Sequence, residues 1–185
     1  MSTAEQGVQI ETGTYAVDPI HSQVAFEVRH LGISTFRGSF GNFAGEIKVG
    51  ENGIEAIDGS IEVASVKVPE EKLQGHLLSP DFFDAESHPQ GTFKSTSVEV
   101  VDAGTYRVTG ELTLRGVTKP AEVTLEVEGA GPGMDGSSVL SLKAAGKVNR
   151  NDYGISWGAT LDTGAAVVGE QVNIVMTIEA AKAGE

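Results

Sequence analysis

The sequence predicts an all-β fold: a closed antiparallel barrel or a sandwich of about eight strands, with one short helix and a possible internal apolar cavity. Three observations predict it. Apolar and polar residues alternate with period two along most of the chain after Tyr15. The 24 glycines and only 6 prolines suit many turns and strands. A single segment carries a helix-start signal, Pro69 followed by Glu70 and Glu71.

Residues 1–12 are polar and unpatterned and read as a loose tail, leaving 13–181 as one domain. In the first strand pattern Val24, Phe26 and Val28 share a phase, and His30 continues it. Phe43, Gly45, Ile47 and Val49 form the next set, then Ile57, Gly59, Ile61 and Val63. Residues Pro69–Leu78 are the helix candidate, and Gly91–Val101 is a less regular strand. Tyr106, Val108, Gly110, Leu112 and Leu114 alternate cleanly with polar partners. A turn over Gly116–Pro120 leads to Val123, Leu125 and Val127, and Gly129–Gly136 reads as a loop. Ser137–Val148 and the set Val172, Ile174, Met176, Ile178 complete the strands. Few helices and polar outer faces favour a barrel or sandwich.

Length and charge narrow the function. At 185 residues, 39% hydrophobic and 21% charged, the chain has the composition of a globular domain with a real core. It has no cysteine, which excludes disulfides and thiolate metal sites. A net charge of -13 repels phosphate backbones, arguing against nucleic acid as a partner and against docking on anionic membranes. No run approaches the roughly 20 apolar residues that span a bilayer, so no stable membrane insertion is expected. No signal peptide is visible at Met1–Val8, which makes the cytoplasm the expected location.

A barrel of about eight strands is either filled by side chains or holds one small ligand. Gly45, Gly59 and Gly110 lie in the inward phase and leave space that side chains from elsewhere could fill. The expected inward set is Val24, Phe26, Val28, Phe43, Ile61, Tyr106, Val108, Leu112, Val123, Leu125, Ile174 and Met176. The segment Leu73–Asp84 stands apart because it combines His76, Leu77, Leu78, Phe82 and Phe83 with Asp81 and Asp84. An irregular, greasy, His-bearing connection on a β scaffold is where a ligand site is expected. Phe82 and Phe83 should close or line one end. His30 is either a core histidine or a polar anchor at the mouth. Phe36 and Phe40, with Phe43, read as cavity lining or as plain core, and Trp157 follows an Asn- and Asp-rich turn.

Catalytic and metal motifs are sparse. There is no Gly-x-Ser-x-Gly and no histidine pair at helical spacing. Asp81, Asp84, Glu86 and His88 form an acidic cluster that suits capped turns better than a metal site. His21, after Asp18-Pro19-Ile20, is expected to make local hydrogen bonds. No cofactor and no catalytic set are assigned.

Several motifs together resemble the YceI-like family. They are Tyr15-Ala-Val-Asp-Pro-Ile-His-Ser22, Gly75-His-Leu-Leu-Ser-Pro-Asp-Phe-Phe-Asp84, Phe93-Lys-Ser-Thr96, Gly110–Thr118 and Asn149-Arg-Asn-Asp-Tyr-Gly154. The resemblance runs from about 14 to 180. It implies an extended lipocalin-like antiparallel barrel that binds a polyisoprenoid chain, such as an isoprenoid quinone or related lipid, and it carries over no catalytic residue set. With no organised acid–base pair in the sequence, the expected function is a non-enzymatic binder or carrier of a long isoprenoid or acyl lipid. The resemblance also implies a homodimer. Many relatives carry a secretion signal, and many have an acidic residue where this chain has Gly75. The alternatives are an enzyme using His30 or His76 with Asp81 or Asp84, and an interaction module with a filled barrel.

Overall fold

The structure, a computed structural model, describes residues 8–184. Eleven strands form one antiparallel sheet in these residues: β1 Gly13–Val17, β2 Gln23–His30, β3 Ser34–Phe40, β4 Phe43–Gly50, β5 Gly53–Glu62, β6 Val66–Lys67, β7 Gln90–Asp102, β8 Thr105–Leu114, β9 Val117–Pro132, β10 Ser138–Asn149 and β11 Val168–Lys182. One α-helix, α1 Glu71–Leu78, interrupts them. Eight strands close the barrel in the order β1-β4-β5-β7-β8-β9-β10-β11, with β11 returning to β1. Closure removes free sheet edges from this ring. The fold is the expected all-β barrel of eight strands, and β2, β3 and β6 extend the same sheet beyond the closed ring.

The long strand β11 explains those three. Val168–Thr177 pairs with β2, and Ala180–Lys182 pairs with β1. Residues 18–22 join β1 to β2 while the chain continues along the same edge. The next layer repeats the break: β3 pairs with β2, and β4 pairs with β1. In the lower half β1 and β4 complete the wall. In the upper half β2 and β3, the short β6 beside β3, and α1 take their place.

Two cores follow from this division. The lower one packs Tyr15, Ile47, Val49, Ile54, Tyr106, Val108, Leu125 and Leu140, all nearly excluded from solvent. Ile10 packs against it, and the Tyr15 hydroxyl donates to the Glu11 carbonyl at 3.0 Å. The tail expected over 1–12 lies outside the described residues for 1–7. The upper core joins Phe40, Val66, Leu77, Phe82, Tyr153 and Ile155.

Local departures from the expected elements have identifiable causes. The helix begins at Glu71, because Glu70 is the N-cap; its carboxylate accepts from Lys72 N at 3.0 Å and Leu73 N at 2.7 Å. Pro69 therefore precedes the cap. The turn expected over Gly116–Pro120 contracts to Arg115 and Gly116, since Leu114 pairs with Val117. Their φ values of 50° and 71° are those of a two-residue hairpin turn. Pro120 sits inside β9, upstream of Val123, the first β9 residue paired to β10. With a neighbour on one side only, that stretch tolerates a missing N–H. The loop expected at Gly129–Gly136 is strand as far as Pro132, because cross-strand pairing with Ser138–Ser141 overrides the glycines.

Candidate functional site

A cavity of about 600 Å³ runs inside the barrel above the lower core. That lies within the roughly 300–1,000 Å³ range of small-molecule sites. Its walls follow the expected strand phases. Val24, Phe26 and Val28 reach it from β2, Phe36 and Phe40 from β3, and Phe43 from β4. Ile61, Val108 and Leu112 line the facing wall, with Val123 and Leu125 from β9 and Ile174 and Met176 from β11. Tyr106 is the exception among the expected site residues: it points inward but packs into the lower core beneath the cavity, with its side chain against Gly53.

The glycines divide unexpectedly. Gly110 leaves no space, since a Cβ there would lie 2.4 Å from the Phe93 ring and 2.6 Å from the Lys94 carbonyl oxygen. Phe93 from the adjacent strand has taken that volume, so a large residue at 110 would disrupt the sheet. At Gly59 the nearest atom to a built Cβ is the Ala44 carbonyl oxygen at 3.5 Å, and the position borders the cavity. The free volume thus belongs to Gly59.

The upper end is built by α1 and the turn after it. The helix buries Leu77, and Phe83 N and Ala85 N donate back to the Leu77 and Leu78 carbonyls, which folds the Phe82-Phe83 pair under the helix. Phe83 packs edge-on against Phe40 at 5.7 Å and against Phe26 at 6.4 Å between ring centroids. Phe82, His76 and Trp157 form a second group: His76 meets Phe82 at 4.9 Å and Trp157 at 5.0 Å, both edge-to-face. Asp81 Oδ2 lies 2.9 Å from His76 Nε2. This carboxylate orients the imidazole as part of the aromatic wall.

His30 borders the same space at the exposed end of β2, at the rim and not in the core. Asp84 stands in a left-handed conformation, φ 49°, beside His88 at 3.9 Å and apart from the His76–Asp81 pair. His76 and Asp81 are therefore the only expected acid–base pair brought into hydrogen-bond distance among the described residues.

Two cavity-lining arginines were missing from the expected site, Arg29 at the exposed end of β2 and the buried Arg150, and a third, Arg115, braces the mouth from outside the lining. Arg150, only 7% exposed, borders the cavity. Its Nε donates to the Gly169 carbonyl at 2.8 Å, and Nη1 donates to those of Ile155 at 2.7 Å and Trp157 at 2.6 Å. Nη2 donates to the Val168 carbonyl at 3.2 Å. Burial pulls its pKa below the usual arginine value. Arg115 Nη1 donates to the Phe82 carbonyl at 3.1 Å and the Gly154 carbonyl at 2.8 Å, tying the two halves of the mouth together. The Asn149–Gly154 motif marked the position, but the acceptors are set by the folding of the chain as far as Gly169.

Metal-capable clustering occurs at one place among the described residues: Asp18, His21 and Glu179, whose ligand atoms lie within 4.8 Å of one another. Asp18 Oδ2 meets His21 Nδ1 at 2.7 Å, and Asp18 Oδ1 accepts from Ile20 N at 2.8 Å. The His21 hydrogen bond, then the Ile20 N–H, hold the Asp18 carboxyl below the usual range. The bond to Asp18, then the charges of Asp18 and Glu179, raise the His21 pKa. These local bonds match the expectation for His21.

Comparison with known proteins identifies the fold family. The YceI-like domain model matches residues 15–180. The chain belongs to the YceI-like family. A UPF0312 protein of Staphylococcus aureus strain N315 is 29% identical to this YceI-like chain over 168 residues, covering 89% of this chain and 95% of the relative. Among solved structures, Burkholderia cenocepacia BcnA superposes with a TM-score of 0.77 at 23% identity, over 88% of this chain and 98% of BcnA. A polyisoprenoid binding domain from Saccharophagus degradans, implicated in plant cell wall breakdown, superposes with a TM-score of 0.70 at 13% identity, over 94% of this chain and all of that domain. At those identities the two structures establish the YceI-like barrel and nothing finer. No helix among the described residues is long and apolar enough to cross a membrane.

Proposed function

We propose that this YceI-like protein binds and carries a long isoprenoid lipid, such as an isoprenoid quinone or polyprenyl chain, inside the barrel, without transforming it. The observation that carries the reading is the cavity itself, which has aliphatic and aromatic walls from the lower core to the Phe82–His76–Trp157 mouth. The polyisoprenoid binding domain of Saccharophagus degradans shares this fold and supports an isoprenoid over a compact ligand. Burying one isoprene unit contributes roughly 3–4 kcal/mol at about 0.8 kcal/mol per methylene. A few units offset the roughly 4–15 kcal/mol lost on association. A carrier working this way needs no strong polar contact.

His76 and His30 then act as wall and rim groups, each worth about 0.5–1.5 kcal/mol if hydrogen-bonded to a quinone oxygen. The test titrates short-tailed and long-tailed quinones against wild type, His30→Ala and His76→Ala. Affinity should climb with tail length far more than it changes with either alanine. Tight binding of a tail-less quinone, abolished by either alanine, would overturn the carrier reading. Native mass spectrometry of the purified protein should show a releasable lipid, and the same spectrum reads whether the carrier is a homodimer.

A further inference from the structure

A second cavity opens on the side of the barrel, where the wall changes strands. It is a cleft of about 620 Å³ between the β1–β2 connection, the end of β3 and the start of α1's approach at Lys67–Pro69. Here β3 stays paired with β2 to its last residue, Phe40 against Val24, while Phe43, Ala44 and Gly45 of β4 have no partner on β1. Val24, Ala25, Phe40 and Phe43 line both this cleft and the central cavity. The two volumes therefore share a wall built from these four residues.

The charge of the cleft runs against that of the molecule. The chain has 26 acidic and 13 basic residues, yet the charged residues lining the cleft are Arg37 and Lys67, both cationic. Arg37 is shared with Glu27 at 3.5 Å, whereas Lys67 forms no ion pair among the described residues. Lys67 lies across Gly41, where a Cβ would come within 2.5 Å of its Cε and 2.8 Å of its Nζ. Gly41 thus provides the room in which the ammonium reaches over the cleft. In the central cavity, by contrast, the buried Arg150 guanidinium is committed to four backbone carbonyls, and Arg29 donates to the Thr35 hydroxyl at 3.3 Å and the Gly32 carbonyl at 3.4 Å.

We propose that the lateral cleft is a second opening of the barrel, in which Lys67, helped by Arg37, holds the anionic head group of an amphiphile whose chain lies in the central cavity. The proposal rests on the lipid-carrier reading above and adds to it a head-group site and a class of ligand. The cleft has a mixed lining, with Ser22, Gln23 and Ser39 beside the two cations, so hydroxyl and amide donors stand next to the ammonium to share an anionic head group. As a compact point charge the ammonium suits a phosphate or a carboxylate equally. The Val24, Phe40 and Phe43 side chains are the part that must move aside for the chain to pass.

The experiment compares pairs that share a chain and differ in head group: farnesyl phosphate against farnesol, and palmitate against hexadecanol. Affinities are measured for wild type, Lys67→Glu, Lys67→Arg and Arg29→Glu, the last replacing the exposed arginine that lines the central cavity and would hold the head group if the anion entered there instead. Wild type should prefer the anionic member by about tenfold, the effect of one charge-assisted hydrogen bond. Lys67→Glu should abolish the preference while leaving the alcohols within about twofold of wild type. Lys67→Arg and Arg29→Glu should keep it. A preference confined to the phosphate pair, or to the carboxylate pair, identifies the head group and supports the site. An equal affinity for both members in wild type, or a preference that survives Lys67→Glu, overturns it while leaving the carrier reading intact. Failure of all four ligands to bind overturns both. Lys67 is exposed on the two-residue β6, so its substitution leaves the core packing untouched.

Discussion

Replacing Arg150 with Met would leave the carbonyls of Ile155, Trp157, Val168 and Gly169 without their shared donor. Unpaired buried polar groups cost about 1–3 kcal/mol each, so with partial rehydration the loss should be on the order of 3 kcal/mol. Urea denaturation should show it as a lower midpoint, and Arg150→Lys should recover only part, because an ammonium cannot span four acceptors held in a fork. His21 gives a pH-dependent counterpart. Its pKa is raised and that of Asp18 is lowered in the folded state. The raised histidine contributes stability that is full below its ordinary value of 6.5 and is lost as pH climbs through the folded pKa. The lowered carboxyl contributes above its ordinary 3.8, and that part is lost as pH falls through its folded pKa. The stability gap between wild type and Asp18→Asn should therefore be widest between these two ordinary values and shrink above the folded pKa of His21. Denaturation midpoints across pH, with an NMR titration showing a lower His21 pKa in Asp18→Asn, check this.

The helix and the glycine-bearing strand carry the next predictions. Gly75 lies mid-helix on an exposed face, and a Cβ built there meets nothing within 4 Å. Gly75→Ala should stabilise the protein by about 0.5–1 kcal/mol through helix propensity alone, read as a rise in Tm with ligand affinity unchanged. On β5, Gly59→Leu places a side chain into the cavity where space is open. It should weaken long-tailed ligands by about tenfold or more, since displaced chain methylenes are worth about 0.8 kcal/mol each, and leave the circular dichroism spectrum β-dominated. Undiminished uptake by the folded variant would show that the chain does not pass this level. These two positions show how far an element can be read from its own residues. The helix and its exposed glycine follow from local pattern. Whether an inward glycine leaves a void depends on the neighbouring strand: Phe93 fills the space at Gly110, while the strand beside Gly59 offers only the paired Gly45 and the Ala44 carbonyl oxygen.

For the molecule as a whole, the two cores should differ in local stability. The lower core is sealed by β1, which pairs with both β4 and β11. The upper core depends on α1, the two-residue β6 and the turns around Phe82. Regions with fewer ladder bonds open at lower free energy. Amide hydrogen exchange should therefore be slowest in β1, β8, β9 and the end of β11, and faster in α1 and residues 79–89. Adding a long-tailed ligand should slow exchange mainly in the upper set. Equal slowing in both halves would mean that the ligand reaches past the cavity into the lower core.

The sequence alone determined the β class, the inward and outward faces and the irregular Leu73–Asp84 segment that builds the upper end of the barrel. A strand's side chains alternate with a period of two, so one run of residues suffices to sort Val24, Phe26 and Val28 from Glu27, although Ala25, in the other phase, is also buried against the cavity. The motifs in Tyr15–Ser22, Gly75–Asp84 and Asn149–Gly154 pointed to the family for the same reason: each is contiguous. Tertiary structure decided everything that depends on what lies across the sheet. It divided the edge of β11 between β2 and β1, with the lateral cleft beside the β1–β2 connection. It placed Tyr106 below the cavity, closed Gly110 and left Gly59 open. It also gave Arg150 its four carbonyls from residues up to 19 positions away. Period and motif are properties of neighbouring residues in the chain, whereas volume and hydrogen-bond partners are properties of neighbours in space.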